Sequence, residues 1–289
     1  MTAGAALVTA CSSPKPGEVG KDGSVTVKHI FGETKIPAPP KRVVSAGFTE
    51  QDDLLAVGVV PVAVTDWFGG EPFGVWPWAQ PRLAGAQPVV LSLADGIQVD
   101  HIASLKPDLI VATNAGLDQD TYTKLSAIAP TIAQSGRDAF FEPWKDQATT
   151  IGQAVFKADD MAKLIAGIEE KFATAGTNNP QFAGKKVLLL QGTLHPDGPQ
   201  AMKPGSRTDF LTKMGFVIAD GVDTADVLIW CTESNEEQTA LLADPTVEKL
   251  QRRNVFTGRE LAGAIAFAST LSYPLVADRL PSRIAQALA

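Results

Sequence analysis

Apolar residues in the first half of the chain form short runs that alternate with segments of helical periodicity. The runs that predict strands are 42–45, 60–64, 108–112 and 131–134. The segments that predict helices are 49–58, 99–105 and 121–128, and in the first of these Thr49 with an acid three residues later predicts an N-terminal cap. Strands that alternate with helices are typical of a parallel sheet. Residues 25–143 are therefore predicted to form one α/β lobe.

A second series of the same kind occupies residues 185–289. Its predicted strands are 185–191, 225–230 and 254–257. Its predicted helices are 208–214, 236–242, 246–250 and 274–289. The chain is therefore expected to fold into two mainly parallel-sheet α/β lobes.

The segment 144–184 between these series is predicted to be helical and to link the two lobes. Its central part, 159–175, has no proline and carries apolar residues at helix spacing, including Met161, Ile168 and Phe172. A helix of that length spans roughly 25 Å. Because a single rigid helix permits only small movements between lobes, it predicts a ligand cleft that is nearly preformed.

The N-terminus, residues 1–24, is predicted to be a lipidated tether. Cys11 follows Leu7-Val8-Thr9-Ala10, which resembles a bacterial lipobox, and a polar stretch rich in Pro, Gly and Ser comes after it. The alternative is a chance apolar N-terminus with a free cysteine. Residues 1–10 lack the basic region of a signal peptide, so we expect the sequence to begin within its own signal. No later run reaches the roughly 20 apolar residues of a membrane span, so a lipid on Cys11 would provide the anchor.

Charge and histidine content limit the remaining classes of function. The formal charge is −7 and the basic residues form no block beyond Arg252-Arg253, which argues against nucleic acid as a partner. The three histidines, His29, His101 and His195, have no paired spacing that would assemble a metal site. The nucleophile-elbow, phosphate-loop and dinucleotide motifs of common enzymes are absent from the sequence. We therefore expect no catalytic residues, no bound metal and no cofactor.

Three segments carry a resemblance to a known family: 40–45, 56–63 and, most specifically, Ile102-Ala103-Ser104-Leu105-Lys106-Pro107-Asp108-Leu109-Ile110. With the lipobox and the linking helix, the chain resembles the class III, or helical-backbone, substrate-binding proteins of ABC importers for siderophores, haem and cobalamin. It is especially similar to mycobacterial ferric-siderophore lipoproteins. The resemblance implies an extracytoplasmic, lipid-anchored monomer that delivers a ferric siderophore to an importer permease. A haem-binding protein of the same class is the main alternative.

Ligands of open α/β sheets bind beyond the carboxyl ends of the strands, and this rule selects the candidate site residues. The Gly- and Pro-punctuated loop 65–78 could form an aromatic wall of the cleft, although a small core under a long loop is the alternative. In the second lobe Ser206 and Arg207 precede a helix, and the planar guanidinium could hold an anionic group or form only a surface ion pair. The predicted ligand-binding residues are Trp67, Phe68, Trp76, Trp78, Ser206, Arg207, Phe267 and Tyr273. Weaker candidates are Arg259, Ser269 and Thr270.

Two further roles depend on the resemblance. Asp100 matches the first-lobe acid that meets the permease, and a carboxylate at a helix start is the alternative interpretation. The second-lobe acid is unassigned because 221–224 is too short for the crossover helix of the family, and we expect residues to be missing there. Tyr273 or His195 could approach the iron of a haem ligand. A siderophore esterase is the least favoured function. It would need a reactive serine with a histidine and an acid, and His195 with Ser206 is the only loose suggestion of such a group in the sequence.

Overall fold

The computed structural model describes residues 17–193, 195, 198–249 and 253–289. Cys11 and most of the predicted tether lie outside these residues. Within the described part of the chain, no helix has the length and hydrophobicity required to cross a membrane.

The described chain begins with an antiparallel hairpin that the sequence analysis did not predict. It consists of β1 (Val25–His29) and β2 (Gly32–Ile36). Alternate residues of the two strands are buried, with Val25, Val27 and Ile36 packed against the first lobe, while the residues on the opposite face of the strands are partly or fully exposed. This alternation is the period of two that a half-buried strand requires.

The first lobe is built on a parallel sheet of five strands in the order β5-β4-β3-β6-β7. The strands are β3 (Val43–Ser45), β4 (Ala63–Thr65), β5 (Val89–Leu91), β6 (Leu109–Ala112) and β7 (Thr131–Ala133). Four of them were predicted, and their continuous burial explains why they appear as unbroken apolar runs. The edge strand β5 was missed because Val90 in its centre is 44% exposed and the run is short.

Four helices surround this sheet: α1 (Glu50–Ala56), α2 (Val99–Ser104), α3 (Gln119–Ser126) and α4 (Trp144–Ala154). The predicted Thr49 cap is wrong. Thr49 has a left-handed backbone with φ of 67° and its side chain accepts no hydrogen bond from the helix. Its hydroxyl instead accepts hydrogen bonds from the side-chain amides of Asn114 and Gln147.

The long helix α5 (Ala158–Asn178) joins the lobes, as predicted. Its 21 residues correspond to about 30 Å. Met161, Ile168 and Phe172 are its buried residues, and the helix packs against α4. The two-lobed α/β architecture predicted from the sequence is thus confirmed.

The second lobe contains a parallel sheet of four strands in the order β11-β10-β8-β9. The strands are β8 (Lys186–Gln191), β9 (Val217–Ile218), β10 (Val227–Cys231) and β11 (Asn254–Phe256). Its helices are α6 (Asp209–Lys213), α7 (Asn235–Ala243), α8 (Pro245–Glu248), α9 (Arg259–Phe267) and α10 (Ser272–Leu288). The sequence analysis did not predict α9, which contributes Gly263, Ala266 and Phe267 to the interface described below.

The short connection from β9 to β10 needs no crossover helix, in contrast to the expectation. β9 has only two residues, and it pairs with the beginning of β8 through Val187 and Ile218. β10 also starts opposite Val187, through Val227. The chain therefore leaves and re-enters the sheet at the same level, and the turn over 222–224 bridges that distance.

Candidate functional site

The carboxyl ends of the two sheets face a chamber between the lobes. The first lobe contributes the lining residues Thr49, Asn114, Phe141, Glu142, Trp144 and Gln147, and the second contributes Ser206, Arg207, Ala266, Phe267 and Ala268. A groove of about 660 Å³ exists at the outer edge of the second lobe, but it is open and flanks α10 far from the interface. Charged, amide and aromatic groups from both lobes converge on the chamber, which makes it the candidate site.

The chamber has a cavity volume of only about 20 Å³. That is room for a single water molecule, whereas pockets for drug-sized ligands measure roughly 300–1,000 Å³. The expectation of a nearly preformed cleft is therefore wrong for this conformation. Aromatic side chains from both lobes fill the space that a ligand would need.

Trp67 lies at the centre of these aromatic side chains. The distance from its ring centroid to that of Phe68 is 4.3 Å, to Phe267 of the second lobe 5.0 Å, to Phe141 5.4 Å and to Phe48 5.8 Å. Trp67, Phe68 and Phe141 are only partly buried. The structure thus brings the predicted Trp67, Phe68 and Phe267 together at the mouth of the chamber.

Trp76 and Trp78 are packing residues of the lobe interface. Trp76 is 2% exposed and stacks on Trp78 with 4.8 Å between ring centroids. A Cβ atom on Gly263 of α9 would lie 2.4 Å from the Trp76 ring, so only glycine fits there. Trp76 therefore resembles the small core that the sequence analysis considered as the alternative, and its contact with a ligand stays a prediction.

Arg259 at the start of α9 holds the aromatic loop against the second lobe. Its Nη2 atom lies 2.8 Å from Oε1 of Glu71 and also donates to the carbonyl of Gly69. Its guanidinium carbon is 5.1 Å from the centroid of Trp76. One side chain of the second lobe thus makes ionic, hydrogen-bond and cation–π contacts to the loop 66–78.

Arg207 places its guanidinium at the wall of the chamber. Its Cζ atom is 4.6 Å from the ring centroid of Phe141, and no carboxylate of the described residues is within ion-pair distance of it. Burial lowers the pKa of Arg207, which nonetheless remains a permanent cation. Ser206 lines the same chamber and is half-buried.

Tyr273 lies in the core of the second lobe. It is 1% exposed, and its ring contacts Trp144, Phe172 and Phe210 at centroid distances of 5.2 to 5.7 Å. Its hydroxyl has no hydrogen-bond partner among the described residues, and burial raises its pKa. Its binding role, like that of the other predicted site residues, stays a prediction.

The sequence analysis missed two acids that join the lobes. Oδ2 of Asp52 accepts hydrogen bonds from Ser269 Oγ at 2.5 Å and from Trp78 Nε1 at 2.8 Å. Oδ1 of Asp53 accepts from the backbone N–H of Thr270 at 3.1 Å and from its hydroxyl at 2.7 Å. We call these four residues from α1 and the α9–α10 turn, Asp52, Asp53, Ser269 and Thr270, the interlobe floor.

The acids of α1 are fully buried, and their protonation reflects that burial. Desolvation raises the pKa of Glu50 and of Asp52 to about 7 and that of Asp53 to about 6. Hydrogen bonds oppose the shift in each case, and the Asp53 charge adds to it for Asp52. Acids at a helix start normally face solvent. Here α1 follows the carboxyl end of β3, and Glu50 bonds to loops of the first lobe while Asp52 and Asp53 reach the second lobe.

The remaining predicted positions lie apart from the chamber. Asp100 is exposed in the first turn of α2, so its carboxylate is accessible on the first lobe, and its docking role stays a prediction. His195 is exposed and hydrogen-bonded to Gln191. Among the described residues, no group of three or more His, Cys, Asp or Glu is arranged to hold a metal ion.

Comparisons with known proteins agree with this architecture. A model of the family described as periplasmic binding protein matches residues 43–238. A crystal structure of a periplasmic solute binding protein from Mycobacterium smegmatis is 65% identical, with a TM-score of 0.91 over 93% of this chain and 100% of that one.

Two Bacillus subtilis proteins are also similar. The lipoprotein YfiY, named as a probable siderophore-binding protein, is 32% identical over 64% of this chain and 56% of its own length. The Fe(3+)-citrate-binding protein YfmC is 27% identical over 76% of this chain and 69% of its own. The chain thus spans little more than half the length of YfiY.

Proposed function

This chain belongs to the periplasmic binding protein family, and we propose that it captures a ferric siderophore between its lobes and delivers it to the permease of an ABC importer. Proteins of this family bind solutes and are not enzymes, as the absence of catalytic motifs predicted. The names of YfiY and YfmC, which refer to a siderophore and to ferric citrate, support an iron chelate as the ligand class.

The observation that carries the proposal is the guanidinium of Arg207, which lies on the Phe141 ring at the interlobe chamber and has no ion-pair partner among the described residues. A ferric chelate combines oxygen donors around the metal with apolar or aromatic arms. Arg207 would donate to the oxygens, and the rings of Trp67, Phe68 and Phe267 would contact the arms. Trp67 and Phe68 are only partly buried, so their rings can turn toward a ligand with little loss of protein packing, whereas Phe267 is 3% exposed and would contact the ligand from its present position.

Ligand entry requires the mouth of the chamber to open. The rings of Trp67, Phe141 and Phe267 separate in the proposed bound state, while the buried hydrogen bonds of the interlobe floor persist. Because α5 and the floor hold the lobes on one side, the opening is a small rotation and not a separation of the lobes. A siderophore would then occupy the space that the aromatic rings now fill.

The proposal includes attachment to the outer face of the cell membrane by lipid on Cys11, with Asp100 as the permease-docking acid of the first lobe. The lipobox resemblance and the name of YfiY, a lipoprotein, support the anchor. The exposed position of Asp100 supports the docking role.

A fluorescence titration tests the ligand class. Ferric hydroxamate, ferric catecholate and ferric citrate chelates, haem and cobalamin are each added while intrinsic tryptophan emission is recorded. We expect a ferric chelate to quench the emission with micromolar or tighter affinity. Arg207→Ala should weaken that affinity by roughly 10- to 100-fold, the effect of removing a charged hydrogen-bond donor. Lys171→Ala, on the outer face of α5, is the matched control and should change nothing.

Two results would contradict the proposal. One is tight binding of haem or cobalamin with no binding of any ferric siderophore, which would favour the haem alternative. The other is an unchanged affinity of Arg207→Ala for the ferric chelate, which would show that the chamber is not the binding site.

A further inference from the structure

Glu142 is a buried carboxylate in the wall of the interlobe chamber. It is 6% exposed, and its Oε2 atom accepts hydrogen bonds from the backbone N–H of Ser135 at 2.8 Å and from its hydroxyl at 2.6 Å. Its Oε1 atom is also buried but has no hydrogen-bond partner among the described residues. A buried acceptor without a partner is uncommon in folded proteins, because its desolvation is not compensated.

Within the described part of the chain, Glu142 forms no salt bridge with a basic residue. No Lys, Arg or His of the described residues lies within ion-pair distance of it, and the nearby charges of Asp138 and Asp146 are negative. Arg207 lines the same chamber from the second lobe but makes no ion pair with Glu142. Burial and these acids raise the pKa of Glu142, which shows that the surroundings disfavour its charged form. A cation placed beside Oε1 would instead stabilise the charged form of Glu142.

We infer that Glu142 selects ferric chelates that carry a protonated amine, because its unpartnered Oε1 accepts a charge-assisted hydrogen bond from the ammonium group. This inference rests on the proposed function and specifies the charge of the ligand. Arg207 and Glu142 then hold opposite charges of one ligand from opposite walls. A polyanionic chelate would instead place like charge against Glu142, which penalises that class.

Two chelates that differ by one ammonium group test the inference. Ferrioxamine B is a linear ferric trihydroxamate with a free terminal amine, and acetylation of that amine gives a neutral chelate with the same iron coordination. Their dissociation constants are measured by tryptophan quenching for the wild-type protein and for Glu142→Gln. Glutamine keeps the shape of the side chain and removes its negative charge.

The wild-type protein should bind the amine-bearing chelate about tenfold or more tightly than the acetylated one, as a charge-assisted hydrogen bond implies. Glu142→Gln should bring the ratio close to one and leave the affinity for the acetylated chelate nearly unchanged. Asp138→Asn, which removes a neighbouring exposed acid outside the chamber, is the matched control and should keep the wild-type preference. Circular dichroism spectra compare the folding of the variants.

Several outcomes would overturn the inference. These are a wild-type ratio near one, a ratio that Glu142→Gln does not change, or loss of the preference in Asp138→Asn alone. A wild-type ratio near one overturns the inference even when a variant does not fold. Failure of both trihydroxamates to bind overturns the inference alone, because binding of ferric citrate or a ferric catecholate in the same titrations would still support the proposed function.

Discussion

Replacement of Asp52 by asparagine is expected to change how the stability of the protein depends on pH. Burial raises the pKa of Asp52 from 3.8 to about 7 in the folded protein. Between these values the folded protein keeps a proton that the unfolded chain has already released, so the free energy of unfolding falls as the pH rises. Each group contributes about 1.36 kcal/mol for each pH unit in that window. Asp52 should therefore remove about 2 kcal/mol of stability between pH 5 and pH 7.

Urea unfolding followed by tryptophan fluorescence at pH 5, 6 and 7 measures this effect. Asparagine does not titrate, so the stability of Asp52→Asn relative to wild type should improve by about 2 kcal/mol across that range, with an unchanged dependence on urea. Asp278→Asn provides the control, because this exposed acid pairs only with Lys171 at the surface. Parallel pH curves for wild type and Asp52→Asn would refute the assignment of Asp52 as a buried acid of raised pKa.

Three further predictions concern packing, binding and anchoring. Gly263→Ala should destabilise the protein in urea unfolding, because the added Cβ would meet Trp76, whereas Gly167→Ala on the open face of α5 should be neutral or stabilise it by about 0.5–1 kcal/mol; equal effects would contradict the packing described. Trp67→Ala should weaken siderophore binding by about 1–3 kcal/mol in fluorescence or calorimetric titration, and an unchanged affinity would exclude Trp67 from the site. Cys11→Ala expressed in the host should move from the membrane to the soluble fraction with the same ligand affinity; identical fractionation of both proteins would contradict lipidation.

Most strands of the two sheets could be predicted because parallel strands buried on both faces leave continuous aliphatic runs, whereas the short edge strands β5 and β9 were missed. The linking helix was equally visible through its apolar periodicity. Helix α4 was predicted only as part of the helical segment 144–184 and without bounds of its own, since several of its buried positions are polar: Gln147 donates a hydrogen bond to Asp53, and Thr150 is 6% exposed. A buried polar residue that is hydrogen-bonded to another polar residue does not appear in the pattern of apolar positions, so that pattern cannot predict its burial.

The sequence could predict only those site residues whose position next to a strand end identifies them. Arg207 and the aromatic loop follow strand ends, and the rule for open α/β sheets selects them. The interlobe floor depends on pairs such as Asp53 and Thr270, which are 217 residues apart in the chain. Glu142 is likewise identified by its Oε1 atom, which has no hydrogen-bond partner among the described residues. Neither property can be read from residue type or spacing.

Two of the contacts between the lobes, the floor and the aromatic mouth, differ in a way that bears on ligand entry. At the floor, Asp52 and Asp53 are fully buried, and separating them from Ser269 and Thr270 would leave carboxylates without their hydrogen bonds in a site of low dielectric constant. At the mouth, Trp67 and Phe141 are partly exposed and interact mainly through ring contacts that a ligand's own apolar surface could replace. The energetic cost of opening is therefore lower at the mouth. The floor is therefore the rigid side of the interface. When a chelate enters at the mouth, its own apolar surface replaces the ring contacts that the protein loses there.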